Sequence, residues 1–155
     1  MFLQTLTHIQ YGRSAYPDMK IMCDTNIILD VLLDREPFAE DSYQVLRHCE
    51  EHRIDGFISA SSVTDIFYLV RKYTHNTDLA YKAVGKLLEI VKVCSVTNNE
   101  VLIAFQKKAK DFEDCLLATC ARSINCDYIV TRNKKDFQDF NVPLLTPSEL
   151  LQKLG

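Results

Sequence analysis

The chain has 155 residues, with a hydrophobic fraction of 47% and a charged fraction of 25%, the length and composition of one ordinary globular domain. Its 4 glycines, at positions 12, 56, 85 and 155, are too few and too scattered to form a glycine-rich phosphate loop, so a backbone cradle for a nucleotide is excluded. The 18 Lys and Arg against 21 Asp and Glu leave a formal charge of −3, which excludes a chain-wide basic footprint for nucleic acid and leaves only local basic patches.

Residues 1–18 are mixed and polar and close on Tyr16-Pro17-Asp18. They lack the basic start and apolar block of a signal peptide and read as an extension ahead of a single domain over residues 19–155. Strand signals are short, continuous apolar runs at 20–23, 56–59, 91–96, 128–131 and 143–145. Helical periods fill the intervals. Residues 26–33 and 39–52, broken at Pro37, follow the first strand. Residues 62–73 follow the second, striped by Val63, Ile66, Phe67 and Val70, and 79–90 repeat the period. Residues 100–108 and 112–124 follow the third strand, and 133–137 make a short helical turn after the fourth. Thr146-Pro147-Ser148-Glu149 is a capping box with proline at the first helical position, which starts a last helix running to Leu154.

Strand–helix alternation predicts an α/β domain with a mostly parallel sheet. Unbroken apolar strands predict that helices cover both of its faces. No apolar run reaches the 18 residues that a membrane helix needs. The six cysteines, at 23, 49, 94, 115, 120 and 126, form no Cys-x-x-Cys pair, and the expectation is free thiols in a soluble cytoplasmic protein, with no disulfide.

In an open parallel sheet, ligands bind beyond the carboxyl ends of the strands, and acids gather there. Asp24 follows the first strand. Asp65 lies near the start of the helix after the second. Asp111, Glu113 and Asp114 open the helix before the fourth, and Asn133 and Asp136 follow it. Each has a purely structural alternative. Asp24 could cap a helix, Asp65 could complete a Ser62-x-x-Asp65 capping box, and Asp136 could be a solvated loop charge. Asp114 could simply favour the positive end of its helix, yet its neighbours Leu117, Ala118 and Ala121 form an uncharged face on which a lone carboxylate is expensive to bury. Clustered carboxylates raise one another's pKa unless a cation enters, and Mg²⁺ or Mn²⁺ is the natural guest of oxygen ligands.

Asp24-Thr25-Asn26 after a first strand, Asp65, the run Asp111-Phe112-Glu113-Asp114-Cys115-Leu116, and Tyr128-Ile129-Val130-Thr131-Arg132-Asn133-Lys134-Lys135-Asp136-Phe137 together resemble the PIN domain over about residues 19–150. The resemblance implies a three-layer α/β/α fold with a five-stranded parallel sheet in the order 3-2-1-4-5. It implies a metal-dependent ribonuclease acting on single-stranded RNA, as in VapC-type toxins that pair with an antitoxin protein and can form homodimers. Asp24, Asp65 and Asp114 match the family's metal-site acids, although the place of Asp65 is more often Glu. Asn26 and Thr131 match supporting polar positions. Many members have Thr-Arg-Asp where this chain has Thr131-Arg132-Asn133, so Asn133 and Asp136 compete for the fourth place. Arg132, Lys134 and Lys135 flank the site as candidate RNA phosphate contacts, whereas Lys107, Lys108 and Lys110 read as a solvated face. Phe112 and Phe137 are candidates for base stacking or for core packing, and Tyr68, Tyr73 and Tyr81 for an antitoxin groove or for the core.

Two other acid-pocket classes fit less well. A phosphatase with an aspartyl nucleophile needs an acid where Asn26 stands, and a receiver domain needs an acid pair before its first helix. A non-enzymatic alternative is a catalytically weakened PIN-like module that binds RNA or protein, which Asn133 in place of an acid makes conceivable.

Overall fold

The computed structural model describes residues 18–155, so the extension read over 1–18 lies, Asp18 apart, outside the described residues. The strands are β1 (Lys20–Cys23), β2 (Asp55–Ser59), β3 (Lys92–Cys94), β4 (Tyr128–Val130) and β5 (Leu144–Leu145). They form one parallel sheet in the order β3-β2-β1-β4-β5. The helices are α1 (Thr25–Leu32), α2 (Ala39–Glu50), α3 (Ala60–Thr74), α4 (Thr77–Ile90), α5 (Asn98–Lys107), α6 (Phe112–Ser123), α7 (Lys134–Phe137) and α8 (Pro147–Leu154), with a 3-10 turn over Gln138–Phe140.

The central strand shows why the apolar runs do not alternate. Ile21 and Cys23 enter one core with Ile58 and Val130, under α1 to α4 and α8. Met22 points the other way, into a second core with Ile129, Cys94, Leu117 and Cys120, under α6. A strand buried on both faces has no polar face to show. The expected α/β/α sandwich and strand order are therefore present.

Local chemistry sets the element ends. Thr146 accepts from the Glu149 amide at 3.2 Å and Glu149 returns a bond to the Thr146 amide at 2.8 Å, with Pro147 first in α8. A second box, Thr97 with Glu100, starts α5 at Asn98, earlier than the apolar period alone suggests. The Ser62–Asp65 box does not form. Ser59, the last residue of β2, is already extended and caps α3 by accepting from the Ser62 amide, so α3 begins at Ala60 and leaves Asp65 exposed in its second turn. Gly56 is required by close approach: a Cβ there would lie 2.5 Å from Cys49 Sγ on α2. The glycine shortage has a structural counterpart, because Asp34, His52, His75, Lys108, Asn125 and Asn141 take left-handed conformations that favour glycine. The six cysteines are free thiols, all buried except Cys126, which is partly exposed. Among the described residues, no helix is long and apolar enough to cross a membrane.

Candidate functional site

At the carboxyl edge of the sheet, an open cleft of about 440 Å³ is lined by Asp24, Thr25, Asn26, Asp65, Tyr68, Asp111, Glu113, Asp114 and Asp136, together with Leu29 and Leu69. Four sections of chain deliver the acids. β1 ends at Cys23 and its ladder runs one residue on, through the Asp24 amide to the Val130 carbonyl at 3.0 Å. α3 presents Asp65, the capped start of α6 presents Asp111, Glu113 and Asp114, and α7 presents Asp136. No Lys or Arg lines this cleft, so the carboxylates face one another without a counter-charge from the wall.

Asp24 is 7% exposed. It does not use its side chain to cap α1; instead its Oδ2 accepts from Thr131 Oγ1 at 2.9 Å, and Thr131 in turn accepts from the Asn133 amide at 3.0 Å. Burial raises the Asp24 pKa, opposed by the Thr131 hydroxyl, the backbone N–H groups of Asn26 and Thr25 and the charge of Arg132. Burial also pushes the Asp114 carboxyl up to about 7, helped by the charges of Asp111, Asp24, Asp136 and Glu113. Glu113 moves the same way, by desolvation first and then by Asp65, Asp111 and Asp24. Beneath the cleft, Thr25 donates to Ser62 Oγ at 3.2 Å, and Ser62 shares a hydrogen bond with Ser59 at 2.8 Å. These hydroxyls tie the start of α1 to the start of α3, the helix that carries Asp65.

Of the two candidates for the fourth position, Asp136 lines the cleft and Asn133 does not. Asn133 contributes its backbone, as N–H donor to Thr131 and as carbonyl acceptor for the Asp136 amide at 3.0 Å. Two of the three flanking cations are engaged elsewhere. Arg132 Nε lies 2.7 Å from Oδ2 of Asp30, its Nη2 donates to Oδ1 at 3.1 Å, and the guanidinium lies 4.1 Å from the Phe38 ring centre. Asp30 on α1 is fully buried, so an unpaired charge there is costly and holds the guanidinium in place. Lys134 Nζ reaches both carboxylate oxygens of Glu149, at 2.8 and 2.9 Å. Of the flanking trio, only Lys135 is without a partner among the described ion pairs. Phe137 is buried in the core, whereas Phe112, Tyr68, Tyr73 and Tyr81 are exposed.

Asp30 is not singled out by the sequence, and Asp111 and Glu113 line the cleft beside Asp114. Asp30 interrupts the apolar run Ile27–Leu33, the same signal of a carboxylate on an apolar face that drew attention to Asp114. Asp111 caps α6 by accepting from the Asp114 amide at 3.0 Å and still lines the cleft.

The donor set of the cleft is all oxygen, with no His or Cys, which suits a hard cation. Among the described residues, no three Asp, Glu, His or Cys side chains converge closely enough to cage an ion by themselves. Mg²⁺ keeps several waters and takes one or two protein carboxylates directly, so an ion in this cleft would be held largely through its own waters.

A sequence model of the PIN domain matches residues 20–135. The chain belongs to the PIN domain family. It is similar to ribonuclease VapC1 of Aquifex aeolicus (strain VF5), at 27% identity over 137 residues, which span 86% of this chain and 94% of that protein. Its fold is also that of VapBC2 from Rickettsia felis, crystallised on a DNA fragment from its promoter, with a TM-score of 0.63 at 18% identity over 83% of this chain and 98% of the other. VapC20 of Mycobacterium tuberculosis, a Sarcin-Ricin loop cleaving toxin, superposes with a TM-score of 0.62 at 14% identity over 79% of this chain and 95% of the other.

Proposed function

We propose that this chain is a divalent-metal-dependent endoribonuclease that cleaves single-stranded RNA and acts as the toxin of a toxin–antitoxin pair. The observation that carries the reading is the cleft itself, six carboxylates from four sections of chain with no cation in its wall. Such a wall repels RNA unless a divalent ion enters first.

Asp24, Asp65, Asp114 and Asp136 would hold the ion, Mg²⁺ or Mn²⁺, one or two of them directly and the others through its waters, with Asn26 as a neutral oxygen donor at the rim. When bound, that ion polarises the phosphodiester and lowers the pKa of the attacking water. The chain's own part is preparation. The Thr131 hydroxyl, itself held by the Asn133 amide, fixes the direction of the Asp24 carboxylate. Asp114, pushed up to about 7 by burial and the neighbouring acids, would meet the ion as a carboxylate. Lys135 contacts RNA phosphate. Arg132 and Lys134 hold the loop after β4 to α1 and to α8, through Asp30 and Glu149.

The antitoxin reading is supported by the VapBC complex among the similar folds and by the exposed tyrosines of α3 and α4. A homodimer would cover the apolar side of α5, where Val101, Leu102, Ile103 and Phe105 are exposed. The test of the catalytic reading is cleavage of a single-stranded RNA in Mg²⁺ or Mn²⁺, with and without chelator. Wild type cuts only with metal, and Asp24→Asn and Asp114→Asn lose at least about a hundredfold in rate, the scale of one well-placed electrostatic group. Wild-type RNA binding without cleavage would instead favour the weakened binding module.

A further inference from the structure

A second hollow, of about 720 Å³, adjoins the acid cleft. Asp111, Asp114 and Asp136 line both, so the two depressions meet along a shared acidic wall. The second hollow differs in also carrying cations: Lys107, the last residue of α5; Lys110, in the loop before α6; and Lys135, on α7. Asp139, Ala109 and Phe140 complete it.

The three lysines are exposed, and none belongs to an ion pair among the described residues. Three other lysines are paired. Lys134 is held by Glu149, Lys92 by Asp55, and Lys86 by Glu50 and Glu89. Here four carboxylates share the hollow with three lysines, yet the ammonium groups stay apart from them and remain available to a ligand. The acid cleft offers an RNA strand no positive group of its own, and the lining it does not share with the hollow includes Leu29, Tyr68 and Leu69. Positive charge therefore reaches the shared acids from one side. Three flexible ammonium donors on separate elements suit a run of phosphates better than a single compact anion.

We propose that this hollow is a phosphate subsite for single-stranded RNA, in which Lys107, Lys110 and Lys135 hold the backbone on one side of the bond presented to the acid cleft. The subsite rests on the nuclease reading for its place beside the scissile bond. It gives Lys107 and Lys110, which read as a solvated face in the sequence, a direct part in substrate binding. It also places the anchored arm of the strand over the α5–α6 loop and α7.

The test uses the full chain carrying Asp24→Asn, so that RNA is not consumed, at a fixed Mg²⁺ concentration high enough to fill the weakened site. Affinity for a short fluorescein-labelled single-stranded RNA is followed by anisotropy across a salt series. Each lysine–phosphate contact in a single strand contributes about 0.7 to the slope of log affinity against log salt. Adding Lys107→Ala, Lys110→Ala and Lys135→Ala should flatten the slope by about 2 and weaken binding at low salt by at least about tenfold. Lys82→Ala, on α4, should change neither, and melting curves should show every variant folded. An unchanged slope and affinity in the triple variant overturns the subsite, as does an Asp24→Asn protein that does not bind the RNA. A separate cleavage assay on the chain without substitutions keeps the two readings apart. Cleavage with an unchanged slope leaves the nuclease and removes the subsite. A flattened slope without cleavage leaves an RNA-binding hollow and removes the nuclease.

Discussion

Replacing Asp114 by asparagine stabilises the metal-free protein at neutral and alkaline pH. In the free cleft the Asp114 carboxyl titrates near 7, driven first by burial and then by Asp111, Asp24, Asp136 and Glu113, whereas an unfolded chain ionises it at its ordinary value of 3.8. The folded state therefore holds a proton that the unfolded state has lost. The contribution of this group to stability is fully present below pH 4, falls as pH rises and is gone above 7. At about 1.4 kcal/mol per pH unit the full interval corresponds to roughly 4 kcal/mol. Asp114 borders an open, solvated cleft, and solvent screening reduces this to about 1–2 kcal/mol. Asparagine keeps the shape and cannot ionise. In chelator at pH 8 the variant should melt about 2–8 °C above wild type, at the 2–4 °C per kcal/mol typical of this chain length, and the gap should close towards pH 4. Saturating Mg²⁺ should narrow it at pH 8, because the cation favours the ionised wild-type carboxylate. Thermal denaturation at several pH values, with chelator and with Mg²⁺, measures all of this. A variant less stable than wild type in chelator at pH 8, or a gap that does not change with pH, would refute the reasoning.

The Asp30–Arg132 pair gives a second prediction. Arg132→Leu strands a fully buried carboxylate and should cost about 3 kcal/mol in urea unfolding, while Asp30→Leu with Arg132→Leu should recover most of it; additive losses would contradict the pairing. Gly56→Ala forces a Cβ to 2.5 Å from Cys49 Sγ and should destabilise by about 1–3 kcal/mol. Gly85→Ala, on the exposed side of α4 with nothing within 4 Å, should stabilise by about 1 kcal/mol; equal effects at the two glycines would contradict the packing.

The fold was legible because its signals are local. Continuous apolar runs mark strands buried on both faces, and the Thr146–Glu149 box, which needs only four residues, marks the start of α8. The acids were legible because β1, β4 and the helix starts all deliver to one edge of a parallel sheet. What the sequence withheld were the partners of charged side chains. Arg132 and Lys134 sit beside the acids in sequence, but their positions are decided by Asp30, 102 residues away, and Glu149, 15 away. Ser59 took the cap expected of Ser62 because a strand residue already in extended backbone can start a helix without a linker. Lys107 and Lys110 looked like part of a solvated run because nothing in the sequence shows that α7 brings Lys135 to the same hollow.

Cleavage depends, in the proposed function, on one ion gathered by Asp24, Asp65, Asp114 and Asp136, directly or through its waters. Mn²⁺ binding to the RNA-free protein, followed by calorimetry and by the spin-resonance signal of the ion, tests it without recourse to activity. The account predicts that wild type binds Mn²⁺ in competition with Mg²⁺, more tightly as pH rises towards 7, and that Asp24→Asn and Asp114→Asn each weaken binding at least about tenfold, one charge-assisted ligand's worth. Asn133→Ala should leave it within about twofold, because that side chain is not part of the cleft wall. Mn²⁺ affinity that is unchanged in both aspartate variants would contradict the account.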